Sequence, residues 1–85
     1  MGRYDLRFCD SVAKDLRAIP KKDVARILRR IRQLADDPRG PGAEKLTDED
    51  RYRVRQGNYR IIYEIRDEVL VVVIVQVGHR RNVYR

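Results

Sequence analysis

Arginine dominates the last 35 residues of this 85-residue chain. All eight cations there are arginine (Arg51, Arg53, Arg55, Arg60, Arg66, Arg80, Arg81 and Arg85), although Lys14, Lys21, Lys22 and Lys45 show that the first half does use lysine. A guanidinium keeps its proton at any pH near neutrality and grips phosphate through a planar fork, so the bias suits a polyanionic partner. Four of the five tyrosines, Tyr52, Tyr59, Tyr63 and Tyr84, share the segment, and aromatic faces stack on bases. The same composition also fits a plain solvated basic surface, because net charge specifies partners only loosely.

The residue inventory limits what such a surface can catalyse. Ser11 is the only serine and Thr47 the only threonine, and neither lies in the arginine-rich segment. A protein hydroxyl nucleophile with its own histidine base is therefore not expected. Ser11-x-x-Lys14 has the spacing of some acyl-enzymes, but without the companion motifs it reads as a helix cap. A single Cys9 and a single His79 can build neither an internal disulfide nor a conventional zinc site, so no metal and no cofactor are expected. Glu64 is the one acidic residue expected among the arginines, and a lone carboxylate there reads as an ion-pair partner. Arginine, tyrosine and histidine remain. They can hold a phosphate, neutralise charge developing on it and move a proton, but they offer no attacking group. RNA carries its own nucleophile in the 2′-hydroxyl, so metal-free RNA cleavage is the phosphodiester reaction this inventory allows.

Something must hold those side chains together. Tyr4, Leu6 and Phe8 alternate with Arg3, Asp5 and Arg7, a period of two that predicts a short strand. Asp10 or Ser11 is placed to cap a helix with Val12, Ala13, Leu16 and Ile19 on one stripe. Pro20 separates it from a second helix, in which Val24, Ile27, Leu28, Ile31 and Leu34 recur at spacings of three and four. Asp36-Asp37-Pro38 and Gly40-Pro41-Gly42 stop that helix. A charged loop, Glu44 to Asp50, leads to two alternating strands around the turn Gln56-Gly57-Asn58. The last strand, Val69–Val77, is apolar on both faces apart from Gln76 and so belongs in the middle of the sheet. Numbering the four strands along the chain, the expected order is 1-4-3-2. Both helices should cover the face carrying Tyr52, Val54, Tyr59, Ile61 and Tyr63. The fold class is α+β, βααβββ, as a single domain over residues 1–85. Arg53, Arg55 and Arg60 then point together away from the helices, with Gly78-His79-Arg80-Arg81 just beyond the last strand.

Size and charge agree with one small domain. The net charge of +7 is concentrated late: residues 1–50 hold 12 cations against 10 carboxylates, and residues 51–85 hold 8 against 3. The longest apolar run, Val69–Val75, is far short of the roughly 20 residues of a membrane span. No basic lead followed by an apolar stretch opens the sequence, so a cytoplasmic location is expected.

Two stretches carry a family likeness: Tyr52-Arg53-Val54-Arg55-Gln56-Gly57-Asn58-Tyr59-Arg60-Ile61-Ile62-Tyr63, and Val77-Gly78-His79-Arg80-Arg81-Asn82-Val83-Tyr84-Arg85. The combination strongly resembles the RelE/ParE superfamily of type II toxin–antitoxin toxins, the RelE branch in particular, over essentially the whole chain. The resemblance implies a small βααβββ toxin that cleaves mRNA in the ribosomal A site. It also implies a toxin held inactive in a hetero-oligomer with a RelB-like antitoxin. By position, Arg60 and Arg80 would stabilise the phosphate in the transition state and Tyr84 would sit at the 2′-hydroxyl. Arg53, Arg55, Arg81, His79 and Arg85 would bind the RNA phosphates. Arg53 and Arg55 stand where some relatives carry lysine, and arginine cannot take up a proton. General-base duty then falls to Tyr84 first and His79 second, the latter reading more readily as a turn histidine beside a basic tail. The ParE branch, whose members poison DNA gyrase and are not nucleases, is the alternative.

Overall fold

The computed structural model describes residues 3–46 and 50–79. Strand β1 (Asp5–Phe8) is followed by helices α1 (Asp10–Arg17) and α2 (Lys21–Asp36), then by β2 (Glu44–Lys45), β3 (Arg51–Gln56), β4 (Tyr59–Arg66) and β5 (Val71–His79). The sheet order is β1-β5-β4-β3-β2, with β1 parallel to β5 and the other pairs antiparallel. The expected order thus holds for four strands. The fifth is Glu44–Lys45, which pairs with Arg53 and Tyr52 at the β3 edge inside the stretch read as loop. Two residues are too few to display a period.

Both helices lie on one face of the sheet. From α1 and the link after it come Val12 and Ile19, and from α2 come Ile27, Ile31 and Leu34. They meet Val54, Ile61, Tyr63, Ile65, Val72, Ile74 and Val77 in one buried cluster. Tyr63 is fully buried, and its hydroxyl donates to the Pro38 carbonyl at 2.6 Å. Burial is the main reason its phenol is pushed up to about 12. Ala13, expected on the α1 stripe, is exposed, and so is Phe8 at the end of β1. Cys9, not Asp10 or Ser11, occupies the N-cap of α1 and makes no side-chain cap bond. Asp10 instead places its charge in the first turn, where the helix dipole favours an anion. Pro20 directly precedes α2, at a helix start where its missing N–H costs nothing.

The final strand starts two residues later than the apolar run. Val69 and Leu70 are exposed, and Leu70 adopts a φ of 54° in the turn before β5. At its other end β5 runs through Gly78 and His79. A bulge interrupts its pairing with β4: Ile62 faces Gln76 while Tyr63 faces Ile74, leaving Val75 without an opposite residue. Buried side chains on β5 therefore fall at 72, 74 and 77 rather than at every second position. Beyond Phe8, no described strand pairs with the outer side of β5, and the Asp15 carboxylate of α1 accepts the Val77 N–H at 3.1 Å. No described helix is long and apolar enough to cross a membrane.

Candidate functional site

The β3–β4 hairpin builds the arginine face. Its turn relies on Gly57, which adopts a φ of 61°, a conformation that costs glycine little. The register sets Arg53 opposite Ile62 and Arg55 opposite Arg60, all on the side away from the helices. Opposed guanidiniums on neighbouring strands repel each other and together attract an anion. Arg55 is exposed and forms no ion pair with another described residue.

This face is less open than an unoccupied sheet. Ile62 is 4% exposed although it lies on the side away from the helices, between Arg53 on β3 and Gln76 on β5. The Arg53 side chain is only 16% exposed, and its guanidinium donates to Glu44 at 2.8 Å. Glu44 sits on the edge strand that the sequence pattern concealed, and no periodicity marks it as a counterion. Glu64 shares the face as expected and accepts from Arg51 at 3.0 Å and Arg66 at 2.7 Å. Burial pushes its carboxyl upward, but the two arginines outweigh that and leave it below its ordinary value.

His79 departs from its expected place. As the Cα partner of Tyr59, it lies on the helix side, and its ring meets that of Tyr59 edge-on with centroids 5.8 Å apart. The bulge at Val75 is the cause, because it returns odd-numbered residues of β5 to the helix face from Val77 onward. Arg60 faces Gly78 on the opposite side. The structure therefore places His79 on the opposite face of the sheet from Arg53, Arg55 and Arg60. Arg80, Arg81, Tyr84 and Arg85 lie outside the described residues.

Three tyrosines counted as possible base-stacking platforms are structural. Tyr63 is core, and Tyr52 stacks on it at 5.8 Å. Arg39 lies over the outer face of Tyr52, 5.6 Å from the ring centroid, and donates to its hydroxyl at 3.3 Å. The same arginine grips Asp67 through two bonds of 3.1 and 2.8 Å, and Tyr4 donates to Asp67 at 2.8 Å. Those bonds, Arg39 first and Tyr4 second, hold Asp67 below its ordinary value. The Tyr59 hydroxyl donates to Asp23 of α2 at 3.3 Å. Burial foremost, then the Asp23 charge, raises its phenol. Sequence alternation had already put these rings on the helix face, and packing claims them.

The fold has close parallels. The family model for the ParE toxin of type II toxin–antitoxin systems matches residues 6–84. Toxin RelG of Mycobacterium tuberculosis is 31% identical over 84 residues, covering 96% of this chain and 97% of that protein. Among solved structures, the RelBE2 toxin–antitoxin complex of M. tuberculosis matches with a TM-score of 0.84 at 30% identity, covering 96% of this chain and 97% of that one. The isolated RelE toxin of Escherichia coli matches with a TM-score of 0.79 at 25% identity, covering 95% and 90%. An α+β sheet with two helices on one face, a family match over nearly the full length and RelE-type relatives together make this chain a type II toxin–antitoxin toxin of the RelE/ParE superfamily.

Proposed function

We propose that the chain is an mRNA interferase, an endoribonuclease that cuts ribosome-bound mRNA by attack of the RNA's own 2′-hydroxyl. The observation that carries this reading is the gathering of Arg53, Arg55 and Arg60 on one face, with Arg55 and Arg60 opposed. A phosphate lying between two opposed guanidiniums is attracted by both. In the reaction the 2′-oxygen bonds to phosphorus, the bond from phosphorus to the 5′-oxygen breaks, and a 2′,3′-cyclic phosphate remains. The 2′-hydroxyl loses its proton to a base and the 5′-oxygen gains one. Arg60 neutralises charge growing on the non-bridging oxygens. Arg80 is assigned the same duty and Tyr84 the 2′-proton, on the strength of the resemblance in the tail. His79, which sits on the other face of the sheet, becomes the weaker candidate for the base.

The family model that matches is named for ParE, which favours gyrase inhibition as the second reading. The RelE-type relatives in sequence and structure favour the nuclease. Expression of the toxin separates them. A nuclease yields mRNA ends at defined places within translated codons and no SOS response. Intact mRNA with accumulated gyrase–DNA cleavage complexes would overturn the nuclease reading.

The partner proposed is a RelB-like antitoxin in a hetero-oligomer. Solved relatives from M. tuberculosis and Pyrococcus horikoshii are toxin–antitoxin complexes, and an acidic segment is the natural cover for an arginine face. Binding only the folded toxin would also raise its stability by mass action.

A further inference from the structure

Gln76 interrupts the apolar run of β5, and it does so on the outward side of the sheet, opposite Ile62. It is half-buried, and its side-chain amide makes no hydrogen bond with another described residue. On β3, β4 and β5 the other outward polar side chains among the described residues are all charged: five arginines and Glu64. Gln76 is thus the one neutral donor and acceptor that these strands present beside the arginines. A polar residue that breaks a strand's pattern without a structural partner marks a candidate functional position.

The space next to Gln76 is open on two sides. Gly78, opposite Arg60, adds no side chain to the face, which leaves Arg60 and Gln76 as diagonal neighbours on adjacent strands. Such neighbours lie about 7–8 Å apart, within reach of long side chains. On the outer side, β1 ends at Phe8, opposite Ile74, and from there a cleft of about 460 Å³ follows β5, bordered by Gln76, Gly78 and Asp15. That is room for a small ligand, whose sites span roughly 300–1,000 Å³. No lysine or arginine lines the cleft. Asp15 repels a phosphate there, whereas an uncharged base meets no such penalty.

We propose that Gln76 reads the edge of a nucleobase seated at this cleft, an adenine flanking the phosphate that Arg60 holds. Placing that phosphate at the bond to be cut rests on the nuclease reading above. The division of labour follows from charge: the arginines take the backbone, and the neutral amide takes the base. Unpaired RNA exposes the edges that an amide can reach. With a donor and an acceptor in one plane, glutamine meets N6 and N7 of adenine with both. Guanine offers two acceptors on that edge and is matched by arginine instead. The Asp15 carboxylate at the same cleft favours the exocyclic amine of adenine over the ring carbonyls of uracil. Gln76 is in this account a specificity residue, and the chemistry stays with the groups named above.

The test compares the full-length chain with Gln76→Leu, which removes donor and acceptor, and with Gln76→Arg, which presents the guanine-reading fork. Fluorescence anisotropy measures affinity for 2′-fluoro RNA heptamers, uridine throughout except for adenine, cytosine, guanine or uracil at the centre. These lack the attacking hydroxyl, so binding is read without cleavage. Cut sites in translated mRNA are mapped in parallel by sequencing the new ends. The natural chain should prefer the adenine heptamer by about 5- to 150-fold, the worth of one bidentate pair, and adenine should be enriched beside its cuts. Gln76→Leu should lose both preferences at an undiminished melting temperature, since it places an apolar residue in an apolar strand. Gln76→Arg should move both preferences to guanine. Equal affinity of the natural chain for all four heptamers, a preference for another base, or an adenine preference that survives in Gln76→Leu overturns the assignment. If the natural chain cuts no RNA yet prefers the adenine heptamer through Gln76, the nuclease reading fails and the base site stands. Cleavage with no adenine preference in either measurement does the reverse.

Discussion

Replacing Glu44 by glutamine asks whether Arg53 belongs to the fold or to the RNA. The two groups meet at 2.8 Å, with Glu44 59% exposed and Arg53 16%, so solvent screens one side of the pair. Exposed pairs are worth about 0.2–1 kcal/mol, and the melting temperature should fall by about 1–8 °C in a domain of this size. If Arg53 must leave Glu44 to reach a phosphate, the same energy is returned on binding. Glu44→Gln should then bind single-stranded RNA about 1.4- to 5-fold more tightly near 0.1 M salt, from the conversion of that range into affinity. The gain should shrink as salt is raised, because binding of the RNA phosphates is itself screened. Thermal unfolding and fluorescence anisotropy on the same preparations give both readouts. A lower melting temperature with no gain in affinity would refute the reasoning and make Arg53 a structural residue that fixes β2 to β3.

Tyr63→Phe leaves the Pro38 carbonyl buried without its donor. It should cost about 1–3 kcal/mol, seen as a lower urea midpoint at constant m-value, with RNA affinity unchanged. Asp67 and Glu64 are both held below their ordinary carboxyl values by arginine, so the stability they add is complete above those values, 3.8 and 4.5, and is lost as pH falls through the lower folded ones. Melting temperatures recorded from pH 6 down to pH 2 should show this acid limb, and Asp67→Asn should flatten it. Arg80→Ala should lower the cleavage rate by about 10²–10³, the usual consequence of removing a preorganised donor to an oxyanion. Tyr84→Phe should slow single-turnover cleavage with little change in RNA affinity, and a normal rate would reduce Tyr84 to a stacking surface.

The parts of this fold that were legible in sequence are those where one signal dominates. Alternation fixed the faces of β3 and β4, and two long apolar stripes fixed α1 and α2. The central position of β5 followed from its being apolar on both sides. Glu44–Lys45 escaped because two residues carry no period, and with them went the knowledge that Arg53 has a counterion. The charge imbalance of α2, six cations against two carboxylates, escaped for a different reason. Its cations are offset in any count over residues 1–50 by carboxylates elsewhere, including Asp48 and Glu49, so an uneven surface looks neutral in sum. The tyrosines were read twice, once by composition as platforms for bases and once by alternation as core. Position in the pleat decided the matter.

His79 shows how much one residue can redirect. With Val75 unopposed by β4, the period of two on β5 slips, so that Val77, not Gln76, enters the core. Bulges recur beside functional sites because they re-aim side chains at the cost of one unpaired residue. Deleting Val75 removes the unopposed residue and keeps every other side chain on its present face: Gln76 then follows Ile74 directly, stays opposite Ile62 on the outward side, and leaves Val77 buried and His79 beside Tyr59. The deletion encloses no polar group, so soluble protein should still form, with a melting temperature lowered by no more than the roughly 4–8 °C that 1 kcal/mol is worth in a domain of this size. In chemical-shift titration His79 should stay insensitive to RNA phosphate in the variant as in the natural chain. Loss of the folded protein on deletion of Val75, or a His79 resonance that responds to RNA phosphate, would refute this account of how the bulge places the side chains of β5.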